Sequence, residues 1–164
     1  MKLKENNSAQ KLRGAYYTPL PLAEMMVKLF SSDESIKTVL EPSCGDGVFI
    51  DALDDMKMLE QLNDATAIEI EQEKLKHRFA NSKKIEIINR DFFDYYENTY
   101  EKKFDLILGN PPYIRYQYLE ENQRILMSEI LVSQGMKSNR LVNTWVGFMV
   151  ACVNLLSDNG KIAF

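Results

Sequence analysis

The chain has 164 residues, of which 45% are apolar and 27% charged, with 7 glycines, 5 prolines and a net charge of −4. This is the composition of one globular α/β or α domain, and it excludes a collagenous, low-complexity or wholly disordered chain. Two widely separated cysteines and a single histidine, His77, cannot assemble a disulfide framework or a zinc site of cysteine pairs, and the acidic excess gives no global pull toward nucleic acid.

Residues 1–15 are polar and lysine-rich and read as a flexible amino-terminal segment ahead of a domain over residues 16–164. They lack the apolar stretch of a secretory signal, so a reducing, cytoplasmic setting is expected. From Thr18 to Phe30, the residues Leu22, Met25, Met26 and Leu29 fall at helical spacing, with Thr18 as N-cap and Pro19 in the first turn. An amphipathic helix with these four on its apolar stripe is predicted.

Ile36 to Leu40 is β-branched and strand-like, and it ends at the turn Glu41-Pro42-Ser43-Cys44-Gly45-Asp46-Gly47. Helical spacing resumes at Val48, Ile50, Ala52 and Leu53. Further strands are predicted at Thr66 to Ile70, Lys84 to Ile88 and Phe104 to Leu108, with a helix over Glu71 to Phe79 between the first two. Ile114 to Met136 is mixed and partly helical. Arg140 to Leu156 reads as a long core helix with Val142, Val146, Met149, Val153 and Leu156 on one stripe. Ser157 to Gly160 ends it, and Lys161 to Phe164 opens a fifth strand. Alternating strands and helices imply a mostly parallel sheet with helices on both faces. A sheet stopping on the first residues of a strand leads to the expectation that the chain is the amino-terminal part of a longer protein.

Four places could carry chemistry. In the Glu41–Gly47 turn, Gly45 and Gly47 let backbone amides approach a ligand at a helix N-terminus, although such a turn can also be simple connection. The acidic Glu41 and Asp46 there would repel a pyrophosphate and suit a ligand with a positive amino or sulfonium group. Glu69 lies roughly 20 residues beyond Gly47, the interval of an acid that accepts from ribose hydroxyls. It reads equally as a solvated charge opening the next helix. Asp91 and Phe92 could receive an adenine amino group and pack on its ring, or simply form a turn.

The fourth place, Asn110-Pro111-Pro112-Tyr113, directly follows the apolar strand Phe104 to Leu108. Two prolines remove two backbone donors and fix two φ angles, so the carbonyls of Asn110 and Pro111 become rigid acceptors at the carboxyl end of a strand. Such a site suits an exocyclic amine: the Asn110 side-chain oxygen and the Pro111 carbonyl take one hydrogen each, and Tyr113 stacks on the attached ring. Arg115 is the candidate for a phosphate contact. His77 reads as solvated, Trp145 and the helically spaced methionines as core, and Cys44 as a small turn residue.

In order, Gly14-Ala15-Tyr16-Tyr17-Thr18-Pro19, Glu41 to Phe49, Ala67 to Glu71, Arg90-Asp91-Phe92 and Asn110 to Tyr113 resemble the motifs of the S-adenosylmethionine-dependent adenine DNA methyltransferases of bacterial restriction-modification systems, in the gamma arrangement. The resemblance implies a Rossmann-like class I methyltransferase fold, truncated after the start of its fifth strand. It implies further that Tyr17, Thr18 and Pro19 border the methionine part of the cofactor. Glu41, Pro42, Ser43, Gly45, Asp46 and Gly47 would hold its amino-acid end, Glu69 its ribose, and Asp91 with Phe92 its adenine. Asn110, Pro111, Pro112 and Tyr113 would take the target adenine of double-stranded DNA. The DNA-recognition domain is expected beyond Phe164. Two other functions fit the same residues: methylation of a protein glutamine, since Asn-Pro-Pro-Tyr suits any planar amide or amine, and a cofactor-binding module without catalysis in a larger restriction complex.

Overall fold

The β-branched and aliphatic runs of the sequence become five strands, here in a computed structural model that describes residues 17–71, 73, 82–138 and 143–164. The strands are β1 (Thr38–Glu41), β2 (Asp64–Glu69), β3 (Ile85–Asn89), β4 (Phe104–Leu108) and β5 (Leu156–Ala163). All pair in parallel, in the order β3-β2-β1-β4-β5. The chain starts mid-sheet, builds outward to β3, then crosses back to lay β4 on the other side of β1. That reversal opens a crevice between the carboxyl ends of β1 and β4, the place where open parallel sheets bind ligands.

The helices are α1 (Leu20–Lys28), α2 (Val48–Asp55), the short α3 (Met58–Gln61), α4 (Phe92–Thr99), α5 (Glu121–Ser133) and α6 (Thr144–Leu155), with a 3₁₀ turn at Tyr116–Tyr118. They cover both faces of the sheet, as predicted. Adjacent strand residues point to opposite sides: Val39 packs with Ala23, Val27, Phe49 and Leu53 beneath α1 and α2, and Leu40 packs with Phe93, Met127, Phe148 and Leu155 beneath α4, α5 and α6. Each such fully buried large side chain contributes about 1.5–3 kcal/mol. At the strand starts, Asp105 locks the register: Oδ2 accepts from the Lys37 and Thr38 amides at 2.9 and 3.0 Å, and Oδ1 from Ser157 Oγ at 2.9 Å.

Two helices bury different faces from those predicted. In α1 the sheet side is Ala23 and Val27, whereas Leu22, Met25 and Leu29 are exposed and only Met26 of the predicted stripe packs on the core. The helix also starts later, with Pro19 rather than Thr18 at its N-cap. In α6 the buried face is Thr144, Gly147, Phe148, Ala151, Cys152 and Leu155, while Val153 is exposed. Close approach explains the second. A Cβ built on Gly147 would lie 2.6 Å from Met127 Cγ and 3.0 Å from Phe93 Cζ, so α6 meets α4 and α5 over a glycine. Trp145 is half-buried, against the edge of the Phe164 ring, and Met25 and Met136 are exposed.

The last strand is longer than predicted. It begins at Leu156, opposite Phe104, and Ser157 to Gly160 form an irregularity before Lys161 resumes pairing with Leu106. Residues 72 and 74–79 of the predicted helix over Glu71 to Phe79, His77 among them, lie outside the described residues, as do the segment 1–15 and Val142 of the predicted core helix. Among the described residues, no helix is long and apolar enough to cross a membrane.

Candidate functional site

β1 ends on Glu41, and the turn after it reverses through two left-handed glycines, Gly45 at φ 55° and Gly47 at φ 86°, the latter being the N-cap of α2. A side chain at either position would be strained. The turn is tied to β2 by two bonds, from the Cys44 amide to the Ile68 carbonyl and from the Gly45 amide to Glu69 Oε2, both 2.8 Å. Glu69 Oε1 accepts from the Glu71 amide, also at 2.8 Å. With 7% of its surface exposed and both oxygens engaged by backbone, Glu69 is not a solvated helix-opening charge. Each oxygen keeps a second acceptor direction for a ligand hydroxyl.

Glu41 is only 1% exposed, and among the described residues its Oε2 has no hydrogen-bond partner, nor has the buried Oγ of Ser43. Burial pushes the Glu41 carboxyl well above the usual carboxylate range, and the neighbouring Asp46, Glu69 and Asp51 push it in the same direction. A buried acceptor without a donor calls for explanation, and a cationic ligand group would supply one. Burial likewise raises the Cys44 thiol, with Glu41 and Glu69 adding to it, which keeps it protonated and unreactive.

Asp91 is the N-cap of α4. Its Oδ1 accepts from the Phe93 and Asp94 amides at 2.9 and 3.2 Å, and its Oδ2 accepts from Gln123 Nε2 at 2.6 Å. Phe92 lies beside it with its ring stacked on Phe148, centroids 4.6 Å apart, as part of the core beneath the cleft.

β4 leads into Gly109, whose amide donates to the Ala163 carbonyl at 3.2 Å, and a Cβ built there would touch Pro42 Cδ at 3.4 Å. The Asn110 loop and the glycine turn are thus immediate neighbours. Asn110 Nδ2 donates to Thr18 Oγ1 at 3.3 Å. Pro111 is buried, and Tyr113 is half exposed. The Pro112 carbonyl accepts from Thr144 Oγ1 at 2.6 Å.

These pieces line one cleft of ≈ 600 Å³ that brings together Tyr17, Thr18, Glu41, Pro42, Ser43, Gly45, Asp46, Glu69, Asp91, Phe92, Asn110 and Pro112. Pro19, Gly47, Pro111, Tyr113 and Arg115 stand outside its lining. Arg115 is exposed, and its backbone bridges to Asn143. Sequence reasoning missed Gln123, Phe148 and Thr144 in the wall. Gln123 was readable as the fourth position of the capping box that starts at Glu120, and Thr144 as the residue after a capping asparagine.

A parallel sheet in this order, with its cleft at the strand reversal beneath a glycine turn, defines a Rossmann-like methyltransferase fold. The chain belongs to the N-6 DNA methylase family, whose profile matches residues 2–164. It is 30% identical over 152 residues to the type II methyltransferase M.AccI of Acinetobacter calcoaceticus, covering 91% of this chain and 27% of that protein. It is 28% identical over 151 residues to M.HincII of Haemophilus influenzae, covering 92% of this chain and 27% of that protein. The chain therefore spans about a quarter of the length of these relatives. Among solved structures it resembles the methyltransferase subunit of a type I restriction-modification system from Streptococcus thermophilus, with a TM-score of 0.66 and 18% identity over 90% of this chain and 33% of that one. At that identity the likeness shows the fold.

Proposed function

We propose that this chain carries the cofactor-binding and catalytic part of an adenine-specific DNA methyltransferase of a restriction-modification or phage-defence system, using S-adenosylmethionine. The observation that carries the reading is the convergence, in one cleft, of the Asn110 side chain with the buried acids Glu41 and Glu69.

The residues present fit the cofactor. Glu41 Oε2, buried and without a partner, is an acceptor for a cationic amino group; Glu69 offers its remaining acceptor directions to the ribose hydroxyls; Asp91 and Phe92 border the adenine. Tyr17 and Thr18 border the methionine part. When bound, S-adenosylmethionine supplies a methyl group activated on sulfur.

The target amine is a poor nucleophile because its lone pair is delocalised into the purine. Inside a duplex the amine is also edge-on and paired, so the base must leave the stack, at a cost of a few kcal/mol. Asn110 Oδ1 and the Pro111 carbonyl accept its two hydrogens, draw the nitrogen toward tetrahedral geometry and stabilise the positive charge that grows on it. Tyr113, half exposed, is the residue assigned to stack on the extruded ring. Asn110 thus acts as positioner and acceptor, not as a strong base.

The test is transfer of tritium from labelled cofactor by the full-length protein, offered DNA and a glutamine-containing peptide in parallel. Label on the adenine amino group is expected. Label in peptide alone would overturn the reading in favour of a protein glutamine methyltransferase, and label in neither, with cofactor still bound, in favour of a non-catalytic module.

A further inference from the structure

The Asn110–Tyr113 segment carries the acceptors assigned above, and its direction is set from outside. Upstream it is held by β5, through the Gly109 amide on the Ala163 carbonyl. Downstream it meets the first residue of α6. Thr144 is 2% exposed and is bonded to the loop on both sides: its Oγ1 donates to the Pro112 carbonyl at 2.6 Å, with the Ile114 carbonyl a more distant acceptor at 3.2 Å, and accepts from the Ile114 amide at 2.9 Å, and its amide donates to the Ile114 carbonyl at 3.0 Å. Thr144 also lines the cleft.

Resting on the proposed function, we infer that Thr144 is a positioning residue for methyl transfer, clamping the downstream end of the acceptor loop through its hydroxyl. The proline ring fixes φ of Pro112, and the bond to Thr144 aims the carbonyl and therefore ψ. A hydroxyl is required because one atom must donate to one loop group and accept from another. Asn143, the N-cap of α6, aligns the helix by accepting from the Val146 amide at 3.3 Å, and its backbone pairs with Arg115, so the clamp is seated on a helix start.

Thr144→Val keeps the shape and removes the hydroxyl, and Thr144→Ser keeps the hydroxyl. With the full-length protein, kcat for Thr144→Val is expected to fall about 100-fold, the scale of a 1 Å misplacement of reacting groups, while cofactor Kd stays within about twofold. Thr144→Ser should restore kcat to within about threefold of the unsubstituted protein. A kcat for Thr144→Val within about threefold of normal, or a fall in kcat matched by an equal weakening of cofactor binding, would overturn the inference. If the valine variant fails to fold, Thr144→Cys, with its weak S–H donor, should lose kcat by an intermediate factor, and full activity in it would be equally fatal. Should the unsubstituted protein label peptide glutamine rather than adenine, the proposed substrate falls, while the same comparison of variants on that amide still decides the clamp.

Discussion

Asn110 reaches across the fold to Thr18: its Nδ2 donates to Thr18 Oγ1 at 3.3 Å, joining the loop after β4 to the segment just ahead of α1. Thr18, predicted as a helix cap, serves the cleft instead. The bond ties the side chain assigned to the target amine to the segment ahead of α1. Asn110→Ala is expected to abolish methylation while cofactor affinity stays within a few-fold. Thr18→Val should lower kcat by about tenfold, equivalent to about 1.4 kcal/mol of transition-state stabilisation. Methylation assays paired with cofactor titration check both, and normal turnover by the alanine variant would remove Asn110 from its assigned role.

Glu69 joins two loops through backbone amides, so its removal should cost structure as well as binding. Glu69→Ala leaves the Gly45 and Glu71 amides without their carboxylate and is expected to destabilise the protein by about 1–3 kcal/mol. Glu69→Gln should destabilise less yet still weaken cofactor binding by about tenfold or more, about 1.4 kcal/mol. Urea melts with and without cofactor separate the two effects. Equal cofactor affinity in both variants and the unsubstituted protein would exclude Glu69 from the ribose site.

The Glu41 carboxyl is raised by burial, with Asp46, Glu69 and Asp51 acting in the same sense. An acid whose folded-state pKa is raised holds its proton longer in the folded than in the unfolded chain. Stability of the cofactor-free protein should therefore fall as pH climbs above the usual 4.5, until the folded-state pKa is passed. A cationic ligand group reverses the preference, so cofactor binding at a pH between the usual 4.5 and the raised folded-state pKa should release a proton. Calorimetry in buffers of different ionisation heat measures this release. Glu41→Gln should remove the release, flatten the pH dependence and weaken binding; an unchanged proton count in that variant would refute the assignment.

Asp91 has two functions that substitution can separate. Asparagine caps helices as well as aspartate but cannot accept from Gln123 Nε2 at the same time, so Asp91→Asn should keep the cap and cost about 1 kcal/mol of stability through that lost bond, while weakening cofactor binding. Asp91→Ala should lose about 1 kcal/mol of stability besides. Thermal melts and cofactor titration decide it. Undiminished binding by the asparagine variant would leave Asp91 as a cap alone.

Much of this was legible in the sequence, because strands buried on both faces announce themselves as apolar runs: Phe104 to Leu108 was read residue for residue, and β1, β2 and β3 to within two residues at either end. The glycine turn and the Asn-Pro-Pro-Tyr loop were legible because glycine and proline impose backbone geometry locally. The buried faces of α1 and α6 were not. Spacing counts favour large apolar residues, and Leu22, Met25 and Val153 satisfy a helical stripe, but the buried faces include the small residues Ala23, Gly147 and Ala151, which such a count passes over. Glu69 stayed ambiguous because burial is a tertiary property, and the Thr144 clamp was invisible because it joins groups some 30 residues apart.

Gly147 sits one turn along α6 from Thr144, where the helix backbone rests against Met127 and Phe93 with no room for a methyl group. A residue with no chemistry of its own thereby sets how deeply the helix is seated, and with it the height of the hydroxyl that aims the acceptor loop. Enlarging it would work as a remote lever, dulling turnover from beneath the reaction without touching any atom that meets a ligand.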